Sequence, residues 1–284
     1  MTPFGERLAQ AASGRPAVVG LDPRLERFPR PLRELADRDT GAALAGWSDM
    51  VLTAVAGTVP MVKPQSAFYE QHGSAGVAAL EATCARAREL GLLVLLDAKR
   101  GDIGSTAEAY ARATLDDDGP MGADAVTLSP YLGPESLEPF LVRRAAGKGL
   151  FLLVRTSNPG AGALQRHGDP AVVDEVASWI RGWNADVRWG SVGAVVGATV
   201  PAEAAGLRAR LPRTWLLVPG YGAQGGTAAD VAALFEGGEG AVVTSSRAIT
   251  YPTASEQDRY DEAPGSVVSA HAKAMIADLA RVVG

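Results

Sequence analysis

Short apolar runs recur along this chain at spacings that leave room for a helix between them, and they lack the alternation of a half-exposed strand. The runs Ala17 to Leu21, Val59 to Lys63, Leu92 to Leu96, Ala125 to Leu128, Leu150 to Val154, Val192 to Val196, Trp215 to Val218 and Ala241 to Thr244 read as strands buried on both faces, the habit of parallel sheets. Helical patterns lie between them, around 42 to 57, 73 to 90, 105 to 117, 134 to 146, 171 to 187, 201 to 211 and 227 to 236, with a last one near 266 to 282. Eight strand and helix pairs predict an α/β architecture, a (β/α)8 TIM barrel, as one domain over 1–284. Helix starts carry the expected punctuation: Ser105 with Glu108 reads as a capping box, Thr227 with Asp230 as a close variant, and Pro201 suits a first turn. The polar, Pro-containing stretch from Tyr251 to Gly265 reads as a long loop. No repeat or linker divides the chain.

Composition narrows the class. With 284 residues, 47% hydrophobic and 21% charged, the chain can bury a core of barrel size. Lys plus Arg number 27 against 32 for Asp plus Glu, a net charge of -5, which argues against nucleic acid or an anionic membrane as the main partner. Any bound anion must therefore be held by local positive charge. Cys84 is the single cysteine and excludes an internal disulfide, in keeping with a reducing cytoplasm. The start of the chain, Met1 to Gln10, is amphipathic rather than signal-like, and no apolar run reaches membrane-spanning length. His72, His167 and His271 are scattered, and no metal-ligand spacing appears, so neither a metal nor an organic cofactor is expected.

A barrel of this class gathers chemistry at the C-terminal ends of its strands, and reactive residues fall there. The third strand runs into Asp97-Ala98-Lys99-Arg100-Gly101-Asp102-Ile103. Residues i and i+2 of a strand share a face, so Asp97 and Lys99 point into one small volume, with Asp102 following where the chain turns. A rim salt bridge that merely ends the strand is one reading. The cost of desolvating charges favours a functional one. The first strand ends in Asp22, the second in Lys63, and the fifth in Thr156-Ser157-Asn158-Pro159-Gly160. Strand seven leads into Pro219-Gly220-Tyr221-Gly222-Ala223-Gln224-Gly225-Gly226 and strand eight into Ser245-Ser246-Arg247. Loops at those two positions commonly bind phosphate in this barrel class, and Arg247 supplies a fork-shaped cation for it.

These residues resemble the orotidine 5'-phosphate decarboxylase family, in particular its longer bacterial branch, type 2, which writes Lys63-Pro64-Gln65-Ser66-Ala67-Phe68-Tyr69-Glu70 after strand two. The resemblance covers nearly the whole chain. Its signature Asp-x-Lys-x-x-Asp-Ile is matched by Asp97, Lys99, Asp102 and Ile103, and Asp22, Lys63, Thr106, Ser157, Pro219, Gln224 and Arg247 fall in matching places. It implies that Asp22 and Thr106 contact the ribose hydroxyls, Ser157 the pyrimidine edge, and Gln224 and Arg247 the phosphate. Lys63, Asp97, Lys99 and Asp102 would form an alternating charge array. It further implies a homodimer in which Asp102, Ile103 and Thr106 enter the neighbouring subunit's site, a small-molecule nucleotide substrate, and no cofactor. Ser246 departs from the pattern, since many relatives place Gly before the phosphate arginine.

The implied activity removes carbon dioxide from a pyrimidine C6 and leaves a vinyl carbanion, which Lys99 could both stabilise and protonate. Three rivals remain. A hexulose-phosphate synthase shares the Asp-x-Lys-x-x-Asp motif but uses a divalent metal, for which Lys63 is ill suited. A Schiff-base aldolase would want a neutral lysine, whereas carboxylates flank Lys99. A non-catalytic nucleotide-binding barrel would need the phosphate loop without the charge array.

Overall fold

In a computed structural model, described over residues 1–197, 201–222 and 226–283, eight parallel strands close into a barrel in sequence order. They are β1 (Ala17–Leu21), β2 (Met61–Pro64), β3 (Leu93–Arg100), β4 (Ala125–Leu128), β5 (Gly149–Arg155), β6 (Val192–Val196), β7 (Leu216–Val218) and β8 (Ala241–Ser245). All eight expected strands are present, and β1, β4 and β6 have the expected bounds. Helices cross over between the strands, among them Thr40–Val55, Gly73–Glu89, Gly104–Leu115, Val172–Trp183 and Pro201–Arg210, and Pro264–Val283 follows β8. The crossover after β4 is built of short turns: 3-10 segments Pro134–Leu137 and Val142–Ala146 flank the helix Glu138–Leu141.

Two apolar layers follow from the period of two along each strand. Outward residues such as Val19, Val62, Val94, Val126, Leu152 and Val243 pack under the helices. Inward residues Val18, Met61, Leu95, Ala125, Phe151, Val195, Leu217 and Val242 fill the lumen, where Phe4 and Leu8 of the helix Phe4–Ala12 join them. That amphipathic start of the chain is thus a plug. Phe4 meets Phe151 edge to face at 6.1 Å between ring centroids, and Trp215 Nε1 donates to Gly5 O at 3.0 Å. Gly5 must lack a side chain, because a Cβ there would lie 2.3 Å from Trp189 O.

Three local expectations need correction. The helix after β3 begins at Gly104 with Ile103 at its cap and no side-chain capping bond, so Ser105 and Glu108 form no capping box. Glu108 instead pairs with Arg143 at 2.8 Å, a charged partner that outcompetes a local backbone bond. The segment after Tyr251 is no open loop: it holds a 3-10 turn, Ala254–Glu256, and a helix, Gln257–Glu262. Burial of Tyr260, whose hydroxyl donates to Thr250 O at 2.9 Å, supplies the tertiary anchor that a short polar helix needs. A further helix, Arg30–Ala36, has no counterpart among the expected elements. The Thr227 and Asp230 capping box is present, and Pro201 opens its helix.

Candidate active site

Two residues beyond the lumen layer, the same inward columns turn polar and line a cavity of about 450 Å³. Met61 is followed by Lys63, Leu95 by Asp97, Ala125 by Thr127 and Val242 by Thr244, while Leu153, Val195 and Leu217 keep the opposite wall apolar. The strand period that fills the barrel therefore also aims its chemistry.

Asp97 is the hub. Its Oδ2 accepts from Lys63 Nζ at 2.7 Å and Gln65 Nε2 at 3.0 Å. Its Oδ1 accepts from Lys99 Nζ at 2.5 Å and Thr127 Oγ1 at 2.9 Å. Burial alone would raise this carboxyl, but Lys63 and Lys99 outweigh it and hold Asp97 well below the usual carboxylate range. Burial opposes the charge on Lys63 as well, yet Asp97 and then Asp22 win and raise its pKa above the ordinary lysine value. Asp97 and Lys63 are thus both ionised at neutral pH. The two cations of the array differ in availability: the Lys63 side chain is 8% exposed and that of Lys99 45%. Lys99 is the one that can reach a ligand.

The carboxylate of Asp22 also faces the cavity, and its Oδ1 is buried with no hydrogen-bond partner among the described residues. Its backbone is held from behind, where Tyr251 OH accepts from Arg24 N at 2.7 Å and donates to Asp22 O at 3.0 Å. Stacking of Tyr251 on Trp47 at 5.6 Å fixes that phenol in turn.

The loop after β5 brings Thr156, Ser157 and Asn158 to the cavity. Gln165 braces it, accepting from Thr156 N at 3.0 Å and donating to Thr156 Oγ1 at 2.8 Å. Pro219, Gly220 and Tyr221 come from the end of β7, and Ser245, Ser246 and Arg247 from the end of β8. Gly220 and Gly222 adopt φ values of 102° and 72°, which glycine takes without strain. Arg247 is exposed and makes no ion pair with a described residue. Ser246 leans over Gly20, where a Cβ would lie 1.9 Å from its Oγ; the hydroxyl absent from the expected pattern finds its space above a strand glycine.

The cavity thus unites Asp22, Lys63, Asp97, Lys99, Ser157, Pro219 and Arg247. It does not include Asp102, Ile103 or Thr106. The Asp102 carboxylate accepts from Ile103 N at 2.9 Å, Ile103 is 59% exposed and Thr106 is exposed, so within one chain Asp102 does not share the volume of Asp97 and Lys99. Gln224 lies outside the described residues. Gln65, Thr127, Thr244 and Tyr251 escaped the sequence reading; the first three could have been found by counting two residues onward from an inward position.

A family model described as "Orotidine 5'-phosphate decarboxylase / HUMPS family" matches residues 36–257. The chain belongs to that family. A Rhodopirellula baltica relative named orotidine 5'-phosphate decarboxylase is 48% identical over 258 residues, with 84% of each chain covered. A second with that name, from Herpetosiphon aurantiacus, is 43% identical over 267 residues, covering 92% of this chain and 93% of the relative. Among solved structures, Leishmania donovani OMP decarboxylase superposes with a TM-score of 0.78 at 33% identity, covering 99% of both chains. Membership in the orotidine 5'-phosphate decarboxylase / HUMPS family agrees with the resemblance carried by Asp97, Lys99, Asp102 and Ile103.

Proposed function

We propose that this chain decarboxylates orotidine 5'-phosphate to uridine 5'-phosphate and carbon dioxide, the last step of de novo pyrimidine nucleotide synthesis, with no cofactor. The observation that carries the reading is the charge array in which Asp97 fixes two lysines and leaves Lys99 the more exposed to the cavity. As the bond from C6 to the carboxylate breaks, its electron pair stays on C6, carbon dioxide leaves, and Lys99 Nζ delivers a proton to C6. Solvent then reprotonates the amine. A cation about 4 Å from the developing charge, in an effective dielectric of about 20, contributes roughly 4 kcal/mol, part of the ~8 to 23 kcal/mol that enzymes supply. Asp97 holds the ammonium in place, and a buried carboxylate facing the substrate's own carboxylate opposes the ground state more than the transition state. Preorganised dipoles and phosphate binding energy supply the remainder.

The other residues take roles by position. Asp22, with an unpartnered buried oxygen, is placed to accept from ribose hydroxyls. Ser157 serves the pyrimidine edge, Pro219 shapes the rim, and Arg247 pairs with the phosphate, with Gln224 beside it. Asp102, Ile103 and Thr106 serve the site of a second subunit in a homodimer, with Asp102 extending the charge array there and Thr106 reaching the ribose. Mixing Lys99→Ala with Asp102→Ala protein should then restore activity to about one quarter of wild type under random exchange. No recovery after verified exchange would place the whole array within one chain. Cys84, the single cysteine of the chain, can form no internal disulfide, in keeping with a reducing compartment such as the cytoplasm.

A metal-dependent member of the same family is the second reading. Among the described residues no three His, Cys, Asp or Glu side chains group to hold a metal ion, and a buried ammonium, Lys63, stands where a metal would want an acid. Incubation with orotidine 5'-phosphate tests the proposal directly. Its ultraviolet absorbance should fall as uridine 5'-phosphate and carbon dioxide form in equal amounts, with and without a chelator. Binding without spectral change would overturn the proposal, and activity lost to the chelator and regained with a divalent metal would favour the second reading.

A further inference from the structure

The charge array depends on a hydroxyl that belongs to no charged group. Thr127 sits on β4, buried to 1% exposure, opposite an irregularity in β3. Leu96 pairs with Val126 and Arg100 with Leu128, so four steps along β3 are matched by two along β4. Such a bulge turns side chains in directions a regular strand cannot offer. Within it Lys99 has φ 48°, a left-handed backbone that residues with side chains seldom adopt. The Lys99 N–H consequently does not join the ladder; it donates to Thr127 Oγ1 at 3.0 Å. The same hydroxyl donates its single hydrogen bond to Asp97 Oδ1 at 2.9 Å.

We propose that Thr127 is a positioning residue that locks the Lys99 backbone turn and the Asp97 carboxylate together, so that the Lys99 amine is presented to the reacting carbon. One oxygen holds two members of the array by different handles, the backbone of one and the side chain of the other. Asp97 Oδ1 is shared between Thr127 Oγ1 and Lys99 Nζ, so rotation of the carboxylate would carry the amine with it. Because its only proton is committed to Asp97, Thr127 cannot donate to a substrate. Its contribution therefore belongs in turnover and not in ground-state binding. The inference rests on the proposed decarboxylation.

The test compares Thr127→Val, which keeps shape and deletes the hydroxyl, with Thr127→Ser, which keeps the hydroxyl and deletes a methyl. Thr127→Val should lower kcat by about 10- to 100-fold, the scale of a misplacement near 1 Å, with KM and the Kd for uridine 5'-phosphate within about twofold of wild type. Thr127→Ser should restore kcat to within about threefold. Thermal unfolding of each variant checks the fold, and Thr127→Ala replaces the valine variant if that one does not fold. Unchanged kcat without the hydroxyl, a loss equal in Thr127→Ser, or a loss matched by weakened uridine 5'-phosphate binding would each overturn the positioning role. Absence of wild-type turnover under the same conditions would instead overturn the activity itself, and the inference with it.

Discussion

The two sides of the cavity are built on opposite principles. On the β2 to β4 side every oxygen position of Asp97 is occupied, by Lys63, Gln65, Lys99 and Thr127. On the β7 to β8 side Arg247 is exposed and without a described ion-pair partner, next to glycines with positive φ. Groups that must act on developing charge are held before the ligand arrives, because reorganisation at the moment of reaction would cost barrier height. A group proposed to capture an anion, Arg247, is left without a described ion-pair partner, so that an anion would complete it. The cavity separates the two demands in space.

The contrast breaks most sharply at Lys99. Lys99→Ala should lower kcat by about a thousandfold or more while uridine 5'-phosphate still binds, as read by single-turnover kinetics and calorimetry; a variant with near-normal turnover would remove Lys99 from the chemistry. On the open side, Arg247→Ala should weaken use of the phosphorylated substrate by roughly 1.5 to 3 kcal/mol, about 10- to 150-fold in kcat/KM. The slow reaction of the phosphate-free nucleoside should barely change. Equal losses for both substrates would show that Arg247 does not serve the phosphate.

A smaller effect probes where the two sides meet at β1. Gly20→Ala puts a Cβ 2.9 Å from the Ser246 Cβ and should cost about 1 to 3 kcal/mol of stability by overpacking. Ser246→Gly in the same chain should return most of it. Additive losses in the double variant, measured by denaturant unfolding, would mean that the two residues do not share this space.

The smallest expected effect is one of constancy. Asp97 is held below its ordinary value, so its stabilisation is present above the unfolded carboxyl value of about 4 and is lost as pH falls through the depressed one. Lys63 is raised, so its stabilisation is present below the unfolded lysine value of about 10 and is lost as pH rises through the higher one. Between those limits the Tm difference between wild type and the double variant Asp97→Asn with Lys63→Met, which removes both charges, should stay flat. A step within that window would show that a further group titrates with the array.

How much of this is legible in the sequence depends on what each residue answers to. The strands are legible because burial on both faces leaves an unbroken apolar run, and β3 extends past Leu96 to Arg100 only because Asp97 and Lys99 face a cavity that the run itself does not reveal. Lys63, Asp97 and Lys99 are legible as charges at strand ends. Thr127 is not, since an uncharged β-branched residue in a strand is ordinary until the bulge opposite it is known. The helix Gln257–Glu262 and the role of Tyr251 depend on contacts with Trp47 and Asp22, more than two hundred positions away. Asp102, Ile103 and Thr106 lie outside the cavity of their own chain, and the role proposed for them in a second subunit is one that neither the local pattern nor one subunit contains.

The plug formed by Phe4 and Leu8 carries one more consequence. With Phe151, Trp215 and the start of the chain filling the lumen beneath the polar layer, the reaction chamber is a room with a solid floor. On the proposed reading, nucleotide, carbon dioxide and the replacement proton pass on the far side, by the β5 loop and Arg247. The order of departures is then a matter of traffic: with Arg247 on the phosphate as proposed, the nucleotide leaves only once the cation at the threshold lets go.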